Sequence, residues 1–388
     1  MKARITVQIA LMASVAFGGM AAHSSEPIKV GVMFPYTGNS STQGLAERDA
    51  IQMAFEEENN TVAGRKIELL FEDSAGKPDI GLTKVKALVE RDGADILISE
   101  LVSQVGAAVA PYVTEKQVPW VSTVSLASLT RAQSSPYIFR FVPSSYQFGV
   151  VAAEAARKMG WKKVYFIGWN APASHESFEA IKKVFGEENV VEAMFPNVGT
   201  PDYAPYLTKM ASEKADGVFA AVWGADANRL VQQYRDYGIS QIMPLFGLGS
   251  FTSEELLSKM PAATEGVLSA YSYCGSEQSA ENQKFVTEYQ TRFGIAPGAY
   301  QYLGYVSAKM VIEALKKVDG KIEDKEAFLA ALKEAEFKGP MGPTSFDDRR
   351  GMVGDFHILK VGKNAEGKLF NECIEKIVQV KDPYDLFP

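Results

Sequence analysis

Two serines are the residues whose type and position point most directly to chemistry. In ILISELVSQVGAAVA, residues 96–110, an apolar strand-like run passes into a small-residue helical pattern at Ser103, and in VPWVSTVSLASLT Ser125 follows a second such run. In open α/β sheets ligands sit beyond the carboxyl ends of the strands, against helix N-termini whose free N–H groups and partial positive charge suit a carboxylate. Serine is also a preferred helix cap, so each hydroxyl can serve the helix alone or share that duty with a ligand oxygen. Two such serines at neighbouring strand ends would face one crevice.

No catalytic constellation competes with them. The chain has three His, one of them (His23) close to the N-terminus, too few for a His-rich metal site. Neither a G-x-S-x-G elbow, an H-E-x-x-H pair nor a phosphate-cradling G-x-x-x-x-G-K-[ST] loop occurs. GLGSFT, residues 247–252, has two of the three glycines of a dinucleotide fingerprint and comes late in its unit, so it reads as a tight loop. The expectation is a binding protein without cofactor or metal, not an enzyme.

The N-terminal MKARITVQIALMASVAFGGMAAHSSEP has basic residues, an apolar run and then small residues, the order of a secretory signal, here placed at 1–24. The protein is therefore expected to be exported to the periplasm and soluble, and without Lys2 and Arg4 its net charge is about −9. That balance argues against a nucleic-acid partner, and it requires local dipoles and donors to hold any anionic ligand. Cys274 and Cys373 are the two cysteines. In an oxidising compartment they can form a disulfide, or they can be two buried thiols.

Positioning the serines requires a regular scaffold. With 388 residues, 46% of them hydrophobic, the chain is long enough for two cores. Strand-like runs at 28–35, 66–74, 94–99 and 118–124 alternate with helical spacing at 42–59, 80–91 and 103–116. A second round begins near residue 144, with helices at 147–159, 174–187, 203–214 and 225–237 and strands at 162–169, 189–196, 217–224 and 243–249. Alternation of this kind predicts parallel sheets covered by helices, in two doubly wound units. The last third breaks the rhythm: helices at 281–293 and 300–318 precede SFDDRRGMVGDFHILKV, 345–361, which reads as an antiparallel hairpin.

IKVGVMFPYTG near the start of the mature chain, ELVSQVGAAVAPYVTEKQVPWVSTVSLASLT, the crossover YIFRFVPSSYQFG and the helix GADANRLVQQYRDYGI together resemble the periplasmic solute-binding proteins of branched-chain amino acid (Leu/Ile/Val) ABC transporters. The likeness runs through the whole mature chain. It implies a type I, Venus-flytrap fold of two Rossmann-like lobes joined by a three-segment hinge: 27–143 with about 275–345, and 144–274 with about 346–388. It also implies a monomer that closes on a small ligand and delivers it to a membrane ABC permease. A ligand sensor or receptor is the alternative class for the same fold.

The resemblance places the carboxylate-binding serine at Ser103, the second carboxylate loop at Ser125 and Leu126, and the aromatic contacts at Trp223 and Tyr300. Gln43, Ser174 and His175 match further cleft-facing positions. Amino-acid binders of this family hold the ligand ammonium with an acidic residue between two glycines, where this chain has Gly247-Leu248-Gly249. A buried ammonium without an acidic partner is costly. Leu248 is thus expected to line the pocket, with Phe34 as a further apolar contact, and the ligand to be an aromatic or hydrophobic carboxylic acid. If Asp226 replaces the missing acid, a branched-chain or other hydrophobic amino acid, or an amide, is the alternative.

Overall fold

The computed structural model describes residues 26–131 and 134–387; the expected signal segment lies outside them. The first unit comprises β1 (Ile28–Phe34), α1 (Ser41–Glu57), β2 (Thr61–Val62), β3 (Arg65–Asp73), α2 (Pro78–Lys86), β4 (Ile96–Ser99), α3 (Ser103–Glu115), β5 (Trp120–Ser122) and β6 (Ile138–Arg140). Its sheet has the order β2-β3-β1-β4-β5-β6 and is parallel except where β2 meets β3. Every residue of β4 and β5 is buried, as expected for strands covered on both faces.

The second unit comprises α4 (Ser145–Lys158), β7 (Val164–Gly168), α5 (Pro172–Phe185), β8 (Val190–Met194), α6 (Ala204–Ser212), β9 (Gly217–Ala221), α7 (Ala225–Asp236), β10 (Leu245–Leu248), α8 (Glu254–Leu257) and β11 (Leu268–Tyr271). Then follow α9 (Ala280–Phe293), α10 (Ala299–Lys317), α11 (Lys325–Lys333), β12 (Glu336–Gly339), β13 (Gly342–Phe346), β14 (Met352–Lys363) and β15 (Leu369–Val380). The second sheet runs β8-β7-β9-β10-β11 in parallel, and β14 then joins it antiparallel to β11.

The hairpin expected over 345–361 is only partly formed. Ser345 and Phe346 pair with Val353 and Met352, while the rest of β14 enters the second sheet between β11 and β15. The reason is burial: Met352–Leu359 is buried at every position, a pattern for a central strand and not for a half-solvated hairpin. Five strands, β2, β6, β11, β12 and β15, were not read from the sequence. β6 is three residues long, and the outward face of β15 is polar enough to hide it.

Glycine permits the close packing behind the first lobe's ligand loops. A Cβ on Gly44 of α1 would lie 2.2 Å from the Pro35 carbonyl oxygen, and one on Gly304 of α10 would lie 2.5 Å from the Glu47 carbonyl oxygen. Both helices therefore sit closer to their neighbours than any side chain allows.

Three segments cross between the lobes: after β6, after β11 and into β14. On the first, the fully buried Arg140 donates to Asp382 Oδ2 at 2.5 Å and to Thr130 Oγ1 at 3.1 Å, and Arg131 reaches Asp382 Oδ1 at 2.6 Å. The Arg140 N–H donates to the Arg350 carbonyl, tying the first crossing to the third. On the second, Cys274 is joined by a disulfide to Cys373 of β15, with Cα atoms 6.2 Å apart. Removing one partner of a buried ion pair strands the other charge, so Asp382→Ala is expected to cost about 3–5 kcal/mol. Denaturant unfolding checks this; a loss below about 1 kcal/mol, the range of a surface pair, would show that the guanidinium is solvated there.

Candidate functional site

The site forms where strand ends of both lobes face each other. β4 ends at Ser99, and Glu100 turns the chain with a left-handed φ of 68°, a strained conformation for a residue with a side chain. Its Oε1 accepts from the N–H groups of Leu101 (3.0 Å) and Val102 (2.8 Å), and Oε2 is buried without a partner. Burial pushes this carboxyl up to about 7.

Helix α3 then starts at Ser103, and no side chain caps it. The Ser103 hydroxyl makes one contact among the described residues, with Gln104 Oε1 at 3.4 Å. Ser103 thus does not cap the helix. The free N–H groups of the first turn and the hydroxyl remain open toward a cavity of about 60 Å3.

Beside it, Thr123 Oγ1 bonds Glu47 Oε2 (2.8 Å) and the Glu100 carbonyl (2.9 Å), and burial holds the Glu47 carboxyl well above the usual carboxylate range. Ser125 does not cap a helix either; its hydroxyl accepts from Ser145 Oγ at 3.2 Å and it lines the cavity. Gln43 also lines it. With its amide turned to suit both neighbours, Gln43 donates to the Ser40 carbonyl and accepts from Gly224 N, each at 3.2 Å, the second of these across the cleft.

Rings from both lobes complete the cavity. Trp223, just past β9, donates from Nε1 to the Leu248 carbonyl at 2.8 Å and meets Trp169 edge-on, with centroids 5.3 Å apart. Trp169, just past β7, donates to Asp226 Oδ2 at 2.8 Å. Phe148 of α4 stacks on Tyr271, which ends β11, with planes 7° apart. Tyr300, at the start of α10, shares a 2.6 Å hydrogen bond with Ser250. No Asp, Glu, Lys or Arg lines the cavity among the described residues.

Five sequence expectations change. Leu248 is fully buried in the core and contributes its carbonyl, as a hydrogen-bond acceptor, to Trp223. Phe34 lies in the same core, because β1 ends beneath α1 and not at the cleft surface. Leu126 packs into the first lobe's other core, on the far face of the loop from Ser125. Ser174 is buried, donating to the Ala221 carbonyl at 3.0 Å, and Ala173 takes the lining position. His175 points outward, stacked on Phe195 and bonded to Asn170.

Asp226 is unavailable to an ammonium. Its carboxylate already bonds Trp169, Arg229 (2.5 Å) and Gly199 N (2.7 Å), so it orients the Trp169 ring from behind. Trp169, Phe148 and Tyr271 escaped the sequence reading. Two of them end or follow parallel strands, as Trp223 does, and that position was the signal available.

These features match known proteins. The family model for periplasmic binding proteins covers residues 27–366, and the chain belongs to that family. It is 27% identical over 384 residues to Leu/Ile/Val-binding protein homolog 6 of Brucella abortus, covering 97% of this chain and 98% of that one. Among solved structures, an ABC-transporter solute-binding protein of Rhodopseudomonas palustris BisB5 in complex with 3,4-dihydroxybenzoic acid superposes with TM-score 0.86 at 30% identity, over 92% of this chain and 99% of that one. The p-hydroxybenzoic acid complex from Rhodopseudomonas palustris HaA2 gives TM-score 0.86 at 26% identity, with the same coverage. The fold is that of type I periplasmic binding proteins, and the chain is a solute-binding protein of the ABC-transporter type.

The lobes also touch at the rim. Glu176 of α5 accepts from Ala127 N at 2.8 Å, two residues beyond Ser125, and Lys259 reaches Thr42 at 3.2 Å. Burial pushes the Glu176 carboxyl up to about 7, against the pull of the Ala127 and Ser128 N–H groups and of Arg140 and Arg131. A carboxyl raised by closing favours the closed form in its protonated state: the gain is complete below the ordinary carboxylate range and is lost as pH rises through about 7. Ligand affinity is expected to fall from about pH 5 to about pH 8, and Glu176→Gln to flatten the profile. Calorimetric titrations across that range check it, and a mutant profile as steep as the wild type's would remove Glu176 from closure. Leu248→Ala is expected to cost about 2–5 kcal/mol of stability, as core truncations do, with affinity within about twofold. Denaturation and binding assays on one sample separate the two effects.

Proposed function

We propose that this chain is exported by its N-terminal signal to the periplasm, where as a monomer it captures an aromatic or hydrophobic carboxylate and hands it to a membrane ABC permease. The single observation behind the ligand class is the uncapped N-terminus of α3, with Ser103, opening into a cavity that has ring walls and, among the described residues, no charged lining residue. The helix end and the hydroxyls of Ser103 and Ser125 suit a carboxylate. Trp169, Trp223, Phe148 and Tyr271 suit an apolar or aromatic body, and ring contacts of this kind add about 0.5–1.5 kcal/mol beyond buried area.

An ammonium would find no free acid at the lining, which disfavours an ordinary amino acid. The names of the Brucella relatives favour a branched-chain amino acid as the second reading.

In this mechanism the carboxylate docks on the first lobe, 27–143 with about 275–345. Trp223 and Trp169 then swing in with the second, 144–274 with about 346–388. Contacts made only after closure favour the closed state, which the permease would read.

A thermal-shift screen of the mature protein against benzoates, aliphatic amino acids, dicarboxylates and amides tests the ligand class, since a ligand of the native state raises its melting temperature. Benzoates are expected to shift it and leucine not; the reverse result would replace this reading with the second. Trp223→Ala is expected to weaken binding of the stabilising acid at least about tenfold, the loss of a buried aromatic contact, with the melting temperature of the free protein little changed. Unaltered affinity would take Trp223 out of the site.

A further inference from the structure

The carboxylate subsite leaves one set of cavity groups without a task. Tyr271, Tyr300 and Ser250 all line the cavity and are 4%, 7% and 5% exposed. Tyr300 Oη and Ser250 Oγ share one proton across 2.6 Å, so the pair keeps one free O–H donor and spare lone pairs. Tyr271 ends β11 with its ring held flat against Phe148, and its hydroxyl has no hydrogen-bond partner among the described residues. Tyr300 lines the same cavity, and burial keeps the phenols of Tyr271 and Tyr300 protonated. The cavity's two indole N–H groups are already engaged, by Asp226 and by the Leu248 carbonyl, so they cannot serve a polar ligand atom.

Three neutral hydroxyls that both donate and accept define the group they would receive. A second ligand carboxylate would be buried there with no Lys or Arg lining the cavity among the described residues to neutralise it. A bare ring edge would leave the Tyr271 hydroxyl unpaired in a closed cavity. A ligand hydroxyl gives and takes one hydrogen bond and satisfies the corner. We propose that the ligand is a ring-hydroxylated aromatic carboxylate, its hydroxyl read by Tyr271 together with the Ser250–Tyr300 pair. This rests on the carboxylate reading above and narrows it.

Calorimetry on the mature protein with 4-hydroxybenzoate, 3,4-dihydroxybenzoate, benzoate and 4-methylbenzoate tests the inference. At least one hydroxylated acid is expected to bind about tenfold or more tighter than benzoate and 4-methylbenzoate, the difference one buried hydrogen bond makes. Tyr271→Phe keeps the ring on Phe148; it is expected to cut affinity for the hydroxylated acid about tenfold and leave benzoate within about twofold. Ser250→Ala is expected to act in the same direction, and the melting temperature of each free variant controls for folding. Benzoate binding as tightly as both hydroxylated acids, or a preference that survives both substitutions, would overturn this inference alone. Binding of none of the four acids would overturn it together with the carboxylate reading.

Discussion

The N–H groups that open helix α3 are the constraint around which the site is built. A helix end in a closed cavity must have its donors satisfied, and an unmet one costs about 1–3 kcal/mol. Here the protein supplies partners only for the two preceding groups, Leu101 and Val102, through a glutamate held in a left-handed turn. The strain at Glu100 and its orphaned oxygen make sense as the means of directing the chain so that Ser103 and the following N–H groups face the cleft. In the proposed reading an anion arriving there would complete the helix, without an arginine or lysine.

The second lobe follows a complementary rule. The indole N–H groups of its two cavity tryptophans are tied to the protein: Trp223 to a strand carbonyl, Trp169 to an aspartate that is itself fixed by Arg229 and a backbone amide. What these rings present is therefore apolar surface. Lobe closure sets an anion-accepting edge against an aromatic wall, and rim contacts such as Glu176 with Ala127 join the two next to the ligand loops. The binding residues and the closing contacts are neighbours in sequence, which gives a bound molecule direct purchase on the equilibrium between open and closed forms.

The hinge shows how the lobes stay in register while they move. Arg140 and Asp382 draw the end of the chain onto the first crossing, and the disulfide anchors the second to the edge strand of the same lobe. Buried charges of this kind hold geometry because any displacement leaves one of them unpaired in a medium that solvates it poorly. Rotation about such a hinge is restricted to motions that keep those contacts, which favours one path of closure.

Local sequence determined much of this protein. Hydrophobic runs and helical spacing set the strands and helices of both units, and the strand-to-helix junctions located Ser103 and Ser125, since a parallel strand must deliver its next residue to the sheet's carboxyl edge. Trp223, Gln43 and Tyr300 came only through resemblance to a family, and the structure brings all three to the cavity. Side-chain direction was not legible: Leu248, Leu126 and Ser174 each stand one residue from a lining position and His175 two from Ala173, and all four point elsewhere, because each step along a strand, loop or helix turns the side chain to another face. Nor could the chain announce that Asp226 would be consumed by Trp169, or that Tyr271 would end β11 opposite Tyr300. Those facts depend on partners far away in sequence, and only the packing of two lobes brings them within hydrogen-bonding distance.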